Sequence, residues 1–188
     1  MTTTLQRFTA NESAQLPYGL ARWLIGGSPL VYIFGGFLRH ILNPLNPNLD
    51  FTDIDLLVRS PDALDQLSTK FGIVFRKVSR FGTTPEYFLG KSRLAGSKTL
   101  HVILMRSHEE IMRFVNNSQY DIDRIALSNN QLYCDPAIGK DAILHALEAM
   151  RATRVRTPRD MSLFAINRAQ IEIKHRNKLI SKGYTIID

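Results

Sequence analysis

Two aspartates and two glycines carry the chemistry in this sequence. In Thr52-Asp53-Ile54-Asp55-Leu56-Leu57-Val58 the aspartates stand two residues apart in a stretch that alternates as a strand. Both carboxylates therefore project from one face, and Ile54 and Leu56 take the other. Carboxylates so placed repel one another unless positive charge lies between them. Divalent cations with oxygen ligands remove that repulsion and make a site that can activate a hydroxyl and neutralise phosphate. Upstream, the apolar, β-branched and aromatic run Val31-Tyr32-Ile33-Phe34 stops at Gly35-Gly36. A glycine pair permits a sharp turn and removes both Cβ atoms, so the backbone can lie against a ligand. With a helix over Phe37 to Leu42, its free N–H groups point at whatever sits over the turn, and phosphate is the natural guest. A lone Gly-Gly is ordinarily a turn, and a lone D-x-D ordinarily a solvated strand; their order and spacing are what point to chemistry.

The elements that must position these residues follow from periodicity. Val31 to Phe34 and Thr52 to Val58 read as neighbouring strands of one sheet. Ser60-Pro61-Asp62 starts a helix whose apolar stripe, Leu64, Leu67 and Phe71, runs to Gly72, and Ile73 to Val78 alternates as the next strand. Arg80 to Ser97 reads as a hairpin and loop near the site. Glu86 to Leu89 is its strand-like piece, and Arg80, Lys91, Arg93 and Lys98 are either contacts for triphosphate or nucleic acid or the ordinary basic residues of an exposed loop. Thr99 to Met105 is a strand, followed by a capping-box pattern at Ser107 and Glu110. Ser128-Asn129-Asn130-Gln131 forms a hairpin turn, and a helix runs from Asp141 to Arg151. A short N-terminal helix spans Glu12 to Ile25, with Trp23 read as a core or interface residue ahead of a base-stacking platform. A long one starts at Thr157-Pro158, with Leu163, Ile166, Ala169, Ile173 and Ile180 on its apolar stripe.

The series of apolar strand, Gly35-Gly36, Arg39, loop and Asp53-Ile54-Asp55 resembles the signature of the DNA polymerase beta-like nucleotidyltransferase superfamily. Within it, the likeness is to the head domain of class II CCA-adding enzymes and bacterial poly(A) polymerases, whose pattern reads G-G-x-V-R-D, a loop, then D-x-D. Leu38 stands for the Val and Arg39 for the Arg, and His40 replaces the Asp. The resemblance covers residues 30 to 180 and is strongest at 33 to 57. It implies two Mg²⁺ ions on Asp53 and Asp55, and a nucleoside triphosphate held by Gly35, Gly36 and Arg39. The third carboxylate of the family falls at His101, ahead of Arg106. Of the family's R-R-D triplet only Asp121 is retained, after Gln119 and Tyr120. Asp121 either reaches the metal or the nucleotide ribose, or caps a local turn together with Asp123. Leu132 to Pro136 and Gly139 match the strand, D-P and glycine that follow in the family. Its base-recognising neck would begin between Pro158 and Arg168, where no E-D-x-x-R motif is found.

Composition sets the outer bounds. The chain has 188 residues and a net charge of +7, and its apolar and charged fractions are those of an ordinary soluble domain. The expected class is α/β (α+β): a mixed sheet of about five strands flanked by helices, with a head domain over 1–150 and a basic helical extension over 151–188. The single Cys134 excludes an internal disulfide and a thiolate zinc cluster, and the five histidines lack metal-ligand spacing. No apolar run approaches the roughly eighteen residues that span a bilayer, and the N-terminus lacks a secretory apolar segment, so the expected location is the cytoplasm. Between Arg151 and Lys182 nine Lys and Arg face two acids, leaving fifteen against fifteen elsewhere. Such a stripe suits a polyanion, most simply RNA, with Arg168, Lys174 and Arg176 as contacts; its ordinary alternative is a solvated helix face.

Two functions remain open on these grounds. The first is a metal-dependent nucleotidyltransferase acting on a hydroxyl acceptor, most simply an RNA 3′ end such as that of tRNA. The second is a domain of the same fold that only binds RNA, nucleotide or protein; a transferase acting on a protein or a small molecule is a variant of the first.

Overall fold

The structure, a computed structural model, describes residues 16, 18–43, 51–78, 86–92, 98–155 and 165–188. Helix α1 (Tyr18–Gly26) precedes strand β1 (Val31–Phe34), which runs straight into α2 (Gly35–Leu42). Strand β2 (Asp53–Val58), helix α3 (Pro61–Phe71) and strands β3 (Ile73–Val78), β4 (Glu86–Ser92) and β5 (Thr99–Leu104) follow. After α4 (His108–Asn116) and a 3₁₀ turn (Asp121–Asp123) comes the hairpin β6 (Ile125–Ser128) and β7 (Gln131–Cys134). The chain ends with α5 (Lys140–Glu148), β8 (Arg151–Thr153), α6 (Ala165–Ser181) and β9 (Thr185–Ile187).

Seven strands form one mixed sheet in the order β3-β4-β5-β2-β1-β6-β7. As the sequence predicts, β1 and β2 are neighbours, antiparallel, with Val31 opposite Val58 and Phe34 opposite Asp55. The sheet is wider than the expected five strands. Ile33 pairs with Leu127 and so brings the β6–β7 hairpin into the same sheet, and the Glu86 strand continues to Ser92 against both β3 and β5. The hairpin turn at Asn129 and Asn130 has positive φ at both residues, 47° and 61°, the conformation a two-residue turn between twisted strands demands.

Both faces of the sheet are covered, but unequally. Ile54, Leu56 and Val58 of β2, with Val31, Ile33, Leu100 and Val102, bury against the helices that carry Leu20, Phe37, Leu67 and Ile143. On the opposite face Tyr32, Leu57 and Ile103 pack against Ile111 and Val115 of α4. Helix α4 covers only one end of that face. Along β2 the same row of side chains passes from fully buried Leu57 to the partly exposed Asp55 and Asp53. Trp23 lies in the core, edge-on to Phe71 at 5.6 Å.

Local signals explain most element ends. Ser60 Oγ accepts from Ala63 N–H at the start of α3, and left-handed Gly72 (φ 61°) ends it. At α4, Ser107 Oγ accepts from Glu110 N–H as expected, while the Glu110 carboxylate takes the N–H of Arg106 instead of that of Ser107. Helix α5 stops at Glu148, earlier than expected, because Met150 turns at φ 51° and Arg151 to Thr153 pair in parallel with Thr185 to Ile187.

The C-terminal helix departs most from its pattern. Its expected start at Thr157, and Leu163 on its stripe, lie outside the described residues; α6 runs from Ala165 to Ser181. Ile173 and Ile180, expected on the inward stripe, are 59% and 51% exposed, and Leu179 is buried in their place. The reason is electrostatic. The helix is rotated so that His175 Nε2 lies 3.2 Å from Asp123 Oδ2, and the other oxygen of that carboxylate accepts from Arg39 of α2. Arg39 and Asp123 are 3% and 5% exposed. Burial opposes ionisation of Asp123, but Arg39 and His175 outweigh it and hold its carboxyl below the usual range.

A carboxyl whose folded pKa is depressed contributes stability above its unfolded value, near 4, and loses it as pH falls through the folded value. Asp123→Asn is therefore expected to destabilise the protein by about 3 kcal/mol at pH 7, with buried Arg39 left uncompensated. Urea unfolding at pH 7 and below pH 4 checks this: the gap from the wild-type protein must shrink at the lower pH, and an equal gap at both would refute the assignment.

Candidate active site

The carboxylates of β2 meet a third group that is remote in sequence. Strand β2 pairs in parallel with β5, setting Asp53 opposite Thr99 and Asp55 opposite His101. His101 Nδ1 lies 3.3 Å from Asp55 Oδ1 and 3.6 Å from Asp53 Oδ2. One donor atom from each of the three residues falls within 4.8 Å of the others. The aspartate side chains are about a quarter exposed, and that of His101 is 41% exposed. The hydrogen bond to Asp55 pushes the His101 pKa up, against the effect of its partial burial. Among the described residues no lysine or arginine pairs with either aspartate, so the donor set fits a divalent cation held by two carboxylate oxygens and one imidazole nitrogen.

The glycine turn abuts this cluster. Gly35 has φ +69°, and a Cβ there would lie 2.8 Å from Asp55 Oδ2. Only glycine combines that backbone conformation with that proximity to a carboxylate. The helix starts at Gly35 itself, two residues earlier than the sequence predicts, and Phe34 at its N-cap offers no side-chain acceptor. The first N–H groups of α2 are thus left without a capping side chain beside the carboxylates, where an anion and a cation would meet.

The remaining candidates are placed as follows. Gly36 lies in the first turn of α2, and Arg39 stands beneath it, bound to buried Asp123 and not open to the site. Asp121 is also buried and stands outside the Asp53–Asp55–His101 group; its Oδ1 accepts from Ile122 N–H and from Thr153 N–H at 2.9 Å, pinning β8 to the 3₁₀ turn. Asp135 of the D-P pair anchors Arg124 at 2.7 Å and caps Ala137. His40 packs its ring 5.0 Å from that of Phe51. Lys91 is exposed, Lys98 donates to the Phe51 carbonyl, and Arg80 and Arg93 lie outside the described residues. On α6, Lys174 is exposed and Arg176 is tied to Asp188 at 2.6 Å; Arg168 lies in the first half of the helix. The Arg39–Asp123–His175 chain escaped the sequence, because nothing local marks an acid for a partner 84 residues earlier in the chain or 52 later.

No protein-family model matches the chain, and no curated protein matches it in sequence. Solved structures do. A CCA-adding enzyme in complex with CTP aligns with all of this chain at a TM-score of 0.64 and 15% identity. The fold is the one these enzymes share. A CCA-adding enzyme with ATP (TM-score 0.55, 16% identity) and the Thermotoga maritima CCA-adding enzyme with tRNA (0.53, 18%) each align with 85% of it. The chain spans 43% of the first structure and 35% of the other two. The nucleotidyltransferase fold expected from Gly35-Gly36 and Asp53-Ile54-Asp55 is therefore present in a chain under half the length of those proteins.

Gly35→Ala is expected to cost roughly 1–3 kcal/mol through the left-handed backbone and to weaken divalent-cation binding by displacing Asp55. Gly36→Ala, whose Cβ would meet only the Arg39 guanidinium at 3.7 Å, leaves both nearly unchanged. Thermal denaturation and cation titration of the two variants decide; equal behaviour would show that the close approach at Gly35 is without consequence.

Proposed function

We propose that the chain is a metal-dependent nucleotidyltransferase that moves a nucleoside monophosphate from a nucleoside triphosphate to the 3′ hydroxyl of an RNA, with tRNA the first candidate. The observation that carries this reading is the placement of Asp53 and Asp55 on one open face of β2, with Asp55 in contact distance of the Gly35 turn. Asp53 and Asp55 would hold the cations, as two Mg²⁺ in the expectation from sequence. Divalent cations there would supply charge neutralisation at the transferring phosphate and a lowered pKa for the attacking hydroxyl. The uncapped N–H groups at Gly35 and Gly36 receive the triphosphate, and the absence of both Cβ atoms lets it lie against the backbone. Arg39 supports this turn from behind through Asp123, so its contribution is to hold α2 in place. Asp121 acts likewise on β8.

In this reading residues 1–150 form the catalytic head. Residues 151–188 form a basic extension docked onto it through Ala152, Leu179 and Tyr184, which are buried in the main core. Exposed Lys174 and, with it, Arg168 are the proposed RNA contacts; Arg176 is partly neutralised by Asp188. CTP, ATP and tRNA complexes among the structures of the same fold support these substrate classes. No helix among the described residues is long and apolar enough to cross a membrane.

The test offers labelled ATP, CTP, GTP and UTP with divalent cation to the full chain and a total RNA pool. Asp53→Asn and Asp55→Asn are each expected to reduce transfer by about 10³-fold or more. They should leave the metal-free melting temperature equal or higher, because a repulsion is removed. Full activity in both variants would overturn the catalytic reading. Nucleotide and RNA binding without turnover would mark a domain that only binds.

The RNA contacts are checked separately. Charge reversal at Arg168 and Lys174 is expected to weaken RNA binding and lower its log–log salt slope by about one to two. Unchanged affinity across salt would reduce α6 to a solvated face.

A further inference from the structure

We infer that His101 is itself a ligand of the cation site, and that its imidazole shifts the site's preference from Mg²⁺ towards Mn²⁺ and the later first-row divalent ions. The inference rests on the reading of Asp53 and Asp55 as cation ligands and adds what the third position does.

Three features of this chain carry it. The parallel register of β2 and β5 puts His101 directly across from Asp55 on the same face of the sheet, so the imidazole is held by backbone pairing and not by a loop. Its Nδ1 is the atom turned to both carboxylates, at 3.3 and 3.6 Å. Two ligands each about 2.1 Å from a shared cation stand about 3.0 Å apart at a right angle and about 3.4 Å apart at a tetrahedral angle. The two imidazole–carboxylate separations lie close to that edge length, and one donor atom from each of the three residues lies within 4.8 Å of the others, so a cation can be shared by His101 and the carboxylates. The side chain is also 41% exposed, which leaves the cation a path from solvent.

Ligand chemistry then sets the choice of metal. Mg²⁺ is a hard ion that prefers an all-oxygen octahedron and keeps its waters. Affinity for a site containing nitrogen rises from Mn²⁺ through Co²⁺ towards Zn²⁺, and imidazole suits the later ions of that series. A carboxylate at position 101 would give an all-oxygen set with three negative charges. Histidine gives two charges and one nitrogen, weakening the hold on Mg²⁺ and retaining it on Mn²⁺.

The metal-stripped 188-residue chain is titrated calorimetrically with MnCl₂ and with MgCl₂, and the bound Mn²⁺ is examined by electron spin-echo envelope modulation for coupling to a ligated ¹⁴N. The wild-type protein is expected to bind Mn²⁺ on the order of 100-fold more tightly than Mg²⁺, with ¹⁴N coupling present. In His101→Asp the ratio should fall at least tenfold and the coupling vanish. His101→Asn, which removes the basic nitrogen without adding a charge, should also lose the coupling and guards against a folding defect in the first variant. An unchanged ratio in variants that still bind both ions, or no ¹⁴N coupling in the wild-type protein, overturns the inference and leaves the carboxylate site standing. No cation binding by the wild-type protein, or undiminished binding by the Asp53→Asn/Asp55→Asn double variant, overturns the site reading together with it.

Discussion

The approach of the Asp55 carboxylate to the backbone of Gly35 is the constraint around which the rest of the structure is arranged. A side chain at position 35 would put its Cβ 2.8 Å from Asp55 Oδ2, so the strand that carries the acids and the turn that can receive an anion share one space only because that residue has no side chain. The antiparallel register of β1 and β2, with Phe34 opposite Asp55, brings the two together. The apolar side chains on the reverse of both strands hold that register, since a slip of one residue would turn Ile54 and Leu56 into solvent and bury the aspartates.

Coverage of the sheet decides where chemistry can occur. The face that bears Asp53, Asp55 and His101 also bears Tyr32, Leu57 and Ile103, and α4 seals the latter with Ile111 and Val115. Phe34 meets Phe114 edge-on at 5.6 Å beside Asp55, so the covered region ends where the acids begin. The aspartates thus keep the partial exposure a cation needs and are backed by a close-packed core that fixes their positions.

Electrostatics divides the molecule in two. At the open site the carboxylates have His101 as their partner. Beneath the glycine helix, Arg39, Asp123 and His175 form a buried chain that links α2, the 3₁₀ turn and α6. A buried pair of this kind adds little net stability relative to an apolar replacement but strongly penalises any arrangement that separates its members. Its effect here is geometric: it sets the rotation of α6 and so leaves Ile173 and Ile180 outward and Leu179 inward.

Much of this was legible in the sequence, and the part that was not has a common cause. The strand–glycine–helix turn, the D-x-D strand, the Ser60 and Ser107 caps and the Asn129-Asn130 hairpin are all local. Backbone geometry and hydrogen bonds within a few residues determine them, and a residue's type reports its local preference directly. The resemblance built on Gly35-Gly36 and Asp53-Ile54-Asp55 anticipated the fold for the same reason, because those residues form a short contiguous unit. The pairing of β1 with β6, the pairing of β8 with β9, the inward face of α6 and the separate burials of Arg39 and Asp121 depend on partners remote in the chain: Leu127 for Ile33, Thr185 for Arg151, Asp123 for His175 and Arg39, and Thr153 for Asp121. The position of His101 shows the division most clearly. The resemblance set it where the family's third carboxylate falls, and its place on a strand could be read from the chain, but the parallel register of β2 and β5 is what turns its nitrogen to two carboxylates, because strand pairing, and not sequence spacing, fixes which side chains share a face.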